Sequence, residues 1–123
     1  MTPIMTKSQA AELITAARIR KKLSWADIAE KLDAPLVWCV AALLGQHPMT
    51  QAQAEVVCEL LDLEAAVAES LQLQPSRGIE PAKLSDPTIY RFHEALAVYG
   101  PALKELIHEE FGDGIMSAIN FKV

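Results

Sequence analysis

Three N-cap signals in the first half of the chain restrict that half to a series of short helices. In each signal a Ser or Thr stands three residues before a Gln or Asp, the spacing at which a cap and the third helical residue can exchange hydrogen bonds. The three pairs are Thr6–Gln9, Ser24–Asp27 and Thr50–Gln53. After the first pair, Leu13, Ile14 and Ala17 fall on one helical face.

Five consecutive helices are therefore predicted for the N-terminal part. Pro35 suits the first turn of the third helix, and Asp62 is a candidate N-cap for the fifth. The predicted ranges are residues 10–22, 25–32, 35–45, 51–61 and 63–73.

A cluster of helix-breaking residues interrupts this pattern. Pro75, Gly78 and Pro81 fall within seven residues, which is typical of a linker. The predicted divisions are a helical bundle at residues 1–74, a linker at 75–85 and a second segment at 86–123.

The second segment opens on a strong helix start, with Asp86 as N-cap and Pro87 at the first helical position. We predict one helix that stops at Gly100 and another that begins at Pro101 and ends before Gly112. Residues 115–123 then alternate in the period of a strand.

A lone strand leaves its backbone N–H and C=O groups without partners. Either this strand pairs with another subunit or the chain has lost a pairing segment, and both interpretations predict association. The predicted fold is mainly α with a small β element. A helix-turn-helix-like, repressor-like bundle is followed by a small C-terminal α+β segment.

Residues 17–61 resemble a helix-turn-helix repressor module, but the helix in the recognition position reads "PLVWCVAALLG". Base readout needs Arg, Lys, Asn, Gln or Ser at base edges, and this helix offers Leu36, Val37, Trp38 and Val40 instead. The net charge of −5 also gives no basic field for phosphates. We predict no binding to nucleic acid.

Other bulk features favour a cytoplasmic protein that does not cross a membrane. No apolar run approaches the roughly twenty residues of a membrane span, and the N-terminus lacks a signal-peptide pattern. Cys39 and Cys58 lie within apolar helical patterns and are predicted to be buried thiols. No metal-ligand spacing is present, so we predict no metal site.

Two features of the second segment suggest chemistry. Arg91 and Glu94 lie three residues apart on one helical face, where the alternative is an inert surface ion pair. Ser117 is the polar residue on the apolar face of the predicted strand, where its hydroxyl needs a partner. Near an Arg it could form a small anion site, and otherwise it bonds its own backbone.

The sequence "DPTIYRFHEALAVYGPALKELIHEEFGDGIMSAINF", residues 86–121, resembles the C-terminal signature of cyanate lyases. The segment "LSWADIAEKLDAPLVWCVAALLGQHPM" is similar to the helix-turn-helix-like bundle of the same family, which does not read DNA. The resemblance implies that Arg91, Glu94 and Ser117 are the catalytic residues.

The resemblance also implies the reaction. Bicarbonate adds to the carbon of cyanate, the adduct loses carbon dioxide to give carbamate, and carbamate breaks down to ammonia and a second carbon dioxide. Bicarbonate is a co-substrate, and no metal or organic cofactor takes part.

The same resemblance implies a homo-oligomer in which five dimers form a decamer with active sites between subunits. Family members continue with further strand-forming sequence after "NFK", whereas this sequence stops at Val123. That tail is expected to help build the dimer. His93 stands where a tyrosine is expected beside the catalytic arginine.

Two other hypotheses remain at this stage. One is a helix-turn-helix DNA-binding regulator, which the residues of the recognition helix disfavour. The other is a catalytically inactive, truncated oligomer of the cyanase fold.

Overall fold

A computed structural model describes residues 2–76 and 81–112, excluding the side chains of Pro81 and Ala82. These residues form two compact units, one on each side of the gap. The helices are α1 (Lys7–Arg20), α2 (Trp25–Leu32), α3 (Leu36–Leu43), α4 (Gln51–Leu61), α5 (Ala65–Leu71), a 3-10 helix (Pro81–Ser85) and α6 (Pro87–Phe111).

The three predicted caps are all present as reciprocal capping boxes. In the box of α2, the Asp27 amide donates to Ser24 Oγ at 3.0 Å, and the Ser24 amide donates to Asp27 Oδ2 at 2.9 Å. The backbone N–H of Ser24 stabilises the carboxylate and holds the pKa of Asp27 below its ordinary value. The starts of α1, α2 and α4 are therefore fixed by local sequence.

The predicted cap at Asp62 was wrong. Asp62 ends α4 in the left-handed conformation, with φ 54° and ψ 50°, and α5 begins after Glu64. Asp tolerates this conformation better than most residues do. Its carboxylate instead pairs with the Lys21 ammonium at 2.7 Å.

Helices α1 to α5 enclose one apolar core. Its largest fully buried apolar side chains are Ile14, Ile28, Leu43, Leu61, Val57 and Val67. Cys39 and Cys58 are free thiols within this core, as predicted, and burial raises the pKa of both thiols.

The prediction of two helices after Asp86 was also wrong, because α6 is continuous and Pro101 lies inside it. Proline removes the N–H that would bond the carbonyl of Ala97, and its ring normally clashes with the preceding residue's Cβ. Gly100 has no Cβ, so the clash with the Pro101 ring is reduced and the helix continues.

The predicted strand at residues 115–123 lies outside the described residues. The part of the chain that the structure describes is entirely helix, turn and loop. The fold is therefore mainly α, and the small β element stays a prediction.

We expect Ser24→Ala to lower the free energy of unfolding by about 1 kcal/mol, because the amide of Asp27 loses its cap. Urea unfolding followed by tryptophan fluorescence is a suitable measurement, since Trp25 lies in the first turn of α2. Ser8→Ala is the matched control, because Ser8 is exposed within α1. Equal stability of the two variants would contradict the role of the cap.

Candidate active site

The start of α6 places the candidate catalytic side chains. Asp86 Oδ1 accepts hydrogen bonds from the amides of Thr88 at 2.9 Å and Ile89 at 3.2 Å, and Pro87 is the first helical residue. Arg91 therefore projects from the second turn of a well-capped helix. The predicted N-cap is confirmed here.

The structure brings Arg91 and Glu94 together, as their spacing predicts. Arg91 Nη1 lies 3.4 Å from Glu94 Oε2, and the side chains are 79% and 45% exposed. A strong charge-assisted hydrogen bond is shorter, at about 2.7–2.9 Å, so this contact is weak. It uses one of the five N–H donors of the guanidinium.

An arginine with this geometry can accept a small anion. The guanidinium is permanently charged, and its fork of donors matches a planar oxyanion in a bidentate manner. Glu94 lies on the same helical face as Arg91 and makes only this weak contact with it. The pair thus places a guanidinium, a group that can accept an anion, beside a carboxylate on one helical face.

Ser117, the third candidate, falls outside the described residues. The structure therefore does not place its hydroxyl relative to Arg91, and its role stays a prediction.

The surroundings of the pair on α6 are apolar and open. Arg91 and Glu94 share the helix with Tyr90, Phe92, Leu96, Val98, Tyr99, Leu103, Leu106 and Phe111, all of which are exposed. No residue of α6 is buried. Exposed apolar area on this scale is typical of a surface that takes part in an interaction.

Elsewhere, a groove between α4 and α5 is unsuited to an anion. Its lining includes Glu55, Glu59, Asp62, Glu64 and Glu69, whose carboxylates repel negative ligands.

Within the described residues there is no group of three His, Cys, Asp or Glu side chains placed to hold a metal ion.

The helix in the recognition position, α3, has an apolar surface. About half of the side chain is exposed at Leu36 and Val37 within α3 and at Leu44, its C-cap. Helix α3 carries no charged residue. This surface lacks the donors and acceptors that read base edges.

Among the described helices, none is long and apolar enough to cross a membrane.

Comparison with protein-family models matches both parts of the chain. Residues 7–75 match the model described as "Cyanate hydratase, N-terminal", and residues 81–123 match "Cyanate lyase C-terminal domain".

Individual relatives match over nearly the whole chain. A cyanate hydratase of Mycolicibacterium vanbaalenii is 56% identical over 120 residues, which is 97% of this chain and 78% of the relative. One from Pseudomonas syringae pv. tomato is 51% identical over 95% of this chain and 76% of its own length. The crystal structure of cyanase from T. urticae matches with a TM-score of 0.81 and 39% identity, covering 89% of this chain and 78% of that one.

We expect Glu94→Gln to change the free energy of unfolding by less than about 0.5 kcal/mol, because an exposed pair at three-residue spacing contributes little. Thermal or urea unfolding beside the unaltered protein measures this. A much larger loss of stability would mean that Glu94 has a structural role, and an activity defect in this variant could then not be assigned to the site.

Proposed function

From the premise that this chain belongs to the cyanate lyase family of enzymes, we propose that it decomposes cyanate with bicarbonate as co-substrate. Bicarbonate adds to the cyanate carbon, and the adduct loses carbon dioxide to leave carbamate. Carbamate then gives ammonia and a second carbon dioxide. The observation that carries this proposal is the match of both chain segments to the family together with the Arg91–Glu94 pair on α6.

Charge repulsion is the main obstacle to this reaction. Cyanate and bicarbonate are both monoanions, and two unit charges about 4 Å apart repel by roughly 4 kcal/mol at an effective dielectric constant near 20. Arg91 offsets this repulsion by contacting either anion through its remaining N–H donors. The electrostatic stabilisation that Arg91 provides grows as negative charge becomes concentrated on the adduct.

Glu94 has a positioning role in this proposal. A carboxylate in direct contact with two anions would repel them, whereas beside Arg91, with Oε2 3.4 Å from Nη1, it would favour one direction of the guanidinium once the site is covered. Ser117 would donate a hydrogen bond to one of the anions and set its angle.

No metal or organic cofactor is part of the proposal. Catalysis rests on holding the two reactants together and on electrostatic stabilisation of the adduct. The protein supplies position and charge, and bicarbonate supplies the attacking oxygen.

We further propose a homo-oligomer built from dimers, with a decamer as the full assembly and active sites between subunits in the cytoplasm. The exposure of the large apolar side chains of α6 supports association through this helix. In a single chain the Arg91 side chain is 79% exposed, so water screens its charge. A covering subunit would exclude that water and strengthen the attraction for anions.

We expect the chain to release ammonia from cyanate only when bicarbonate is present, and Arg91→Ala to lower this rate at least about a hundredfold, the scale of losing one stabilising donor group. Ammonia release measured with and without added bicarbonate provides the readout. Arg20→Ala is the matched control, since Arg20 is exposed at the end of α1, and its rate should be unchanged.

Two outcomes would contradict the proposal. Ammonia release that is independent of bicarbonate would exclude the co-substrate role. A folded, correctly assembled protein without turnover would identify the chain as an inactive oligomer of the family fold.

A further inference from the structure

Large apolar side chains recur along one side of α6 at alternating steps of three and four residues. An α-helix turns about 100° per residue, so this spacing keeps the side chains within one narrow stripe along the helix. The stripe, here called the α6 seam, consists of Ile89, Phe92, Leu96, Tyr99, Leu103 and Leu106. Ile89 is partly exposed, and the other five side chains are between 47% and 67% exposed.

The spacing indicates what kind of surface fits the seam. Alternating steps of three and four residues are the pattern by which two helices pack along their length, with each side chain entering a gap between side chains of the other helix. A strand would present every second residue, and a small molecule would need a concave pocket. The seam therefore fits another helix.

The seam matches itself when two copies of α6 run in opposite directions. With the two-fold axis between Leu96 and Tyr99, Leu96 of one copy faces Tyr99 of the other, and Phe92 faces Leu103. Ile89 then faces Leu106, so all six residues of each copy have an apolar partner. The next antiparallel register, displaced by seven residues, would place the carboxylate of Glu110 opposite Phe92.

Charge also favours the antiparallel direction. Residues 87–98 balance Arg91 against Glu94, whereas residues 99–111 carry one lysine and three glutamates. Parallel pairing would bring the two acidic C-terminal ends side by side, where like charges and the negative ends of two helix dipoles repel. Antiparallel pairing instead places each acidic end beside the positive end of the other helix dipole.

The borders of the seam allow the two backbones to approach each other. Ala95, Gly100 and Ala102 lie beside the seam near its centre, and all three residues are small. A Cβ added to Gly100 would meet no described atom within 4 Å. Pro101 lies on the opposite side of the helix, so its ring does not obstruct the pairing.

We infer that the α6 seam binds the α6 seam of a second copy of this chain as an antiparallel helix pair. The inference rests on the proposed association through α6 and specifies its face, direction and register. Arg91 and Glu94 lie outside the seam, about 100° and 160° around the helix from Phe92. The pairing therefore leaves both side chains open to anions and to a further subunit.

Disulfide trapping in the full chain tests this inference. In the double variant Phe92→Cys with Leu103→Cys, the two cysteines are roughly 16 Å apart along one helix, too far for a bond within the chain. Antiparallel pairing places each of them beside the other cysteine of the second copy. Oxidation is therefore expected to give a disulfide-linked dimer on a non-reducing gel, whereas either single variant is expected to stay largely uncross-linked.

The matched control is Ala97→Cys with His108→Cys, which has the same spacing on the opposite side of the helix and should not cross-link. The unaltered chain gives the background of Cys39 and Cys58, whose thiols are buried. Light scattering before oxidation shows whether each variant still associates. If the first double variant does not, Ile89→Cys with Leu106→Cys applies the same test at the ends of the seam and leaves its centre intact.

Three results would overturn the inference. Single variants that cross-link as fast as the double variant would indicate a parallel pair. Double variants that associate without cross-linking would mean that other residues cover the seam. A monomeric unaltered chain would contradict the proposed association as well. None of these results depends on ammonia release, so failure of turnover is distinguishable from failure of the pairing.

Discussion

The exposed apolar surface of α6 is the constraint on which the account of this protein depends. Eight of its 25 residues have large apolar side chains that are exposed, and no residue of the helix is buried. Water disfavours such a surface at about 25 cal/mol for each Å² left uncovered. Arg91 and Glu94 lie on the same helix, so whatever covers α6 also determines how much water reaches the candidate site.

That link accounts for how a weak surface pair would take part in the proposed catalysis. At 3.4 Å and largely exposed, the Arg91–Glu94 contact would contribute little in a single chain. Excluding water would strengthen every interaction of the guanidinium, including its attraction for the two proposed anionic reactants. In the proposed enzyme, assembly and chemistry are thus coupled through one helix, whereas the bundle of α1 to α5 has a core of its own.

Local signals in the sequence were sufficient for much of the fold. The caps at Thr6, Ser24, Thr50 and Asp86 determine where helices begin, and the structure has each of them. The predicted N-cap at Asp62 was wrong because aspartate serves both as an N-cap and as a left-handed C-cap.

Other features depended on particular neighbours or on distant contacts. The break expected at Pro101 failed because the glycine before it removes a clash. The hydrogen bond from the Lys7 ammonium at the start of α1 to the Ser70 carbonyl at the end of α5 could not be predicted, since it joins residues more than sixty positions apart. In the candidate site, spacing alone brought Arg91 and Glu94 together, while Ser117 lies beyond the described residues.

The most direct test of the central claim, that subunits share an active site, is complementation between two inactive variants. Arg91→Ala and Ser117→Ala are unfolded together and refolded as a mixture, and ammonia release from cyanate is measured. If each site takes Arg91 from one subunit and Ser117 from another, mixed dimers contain one intact site and activity returns. A mixture that assembles normally but stays as inactive as either variant alone would contradict the shared site.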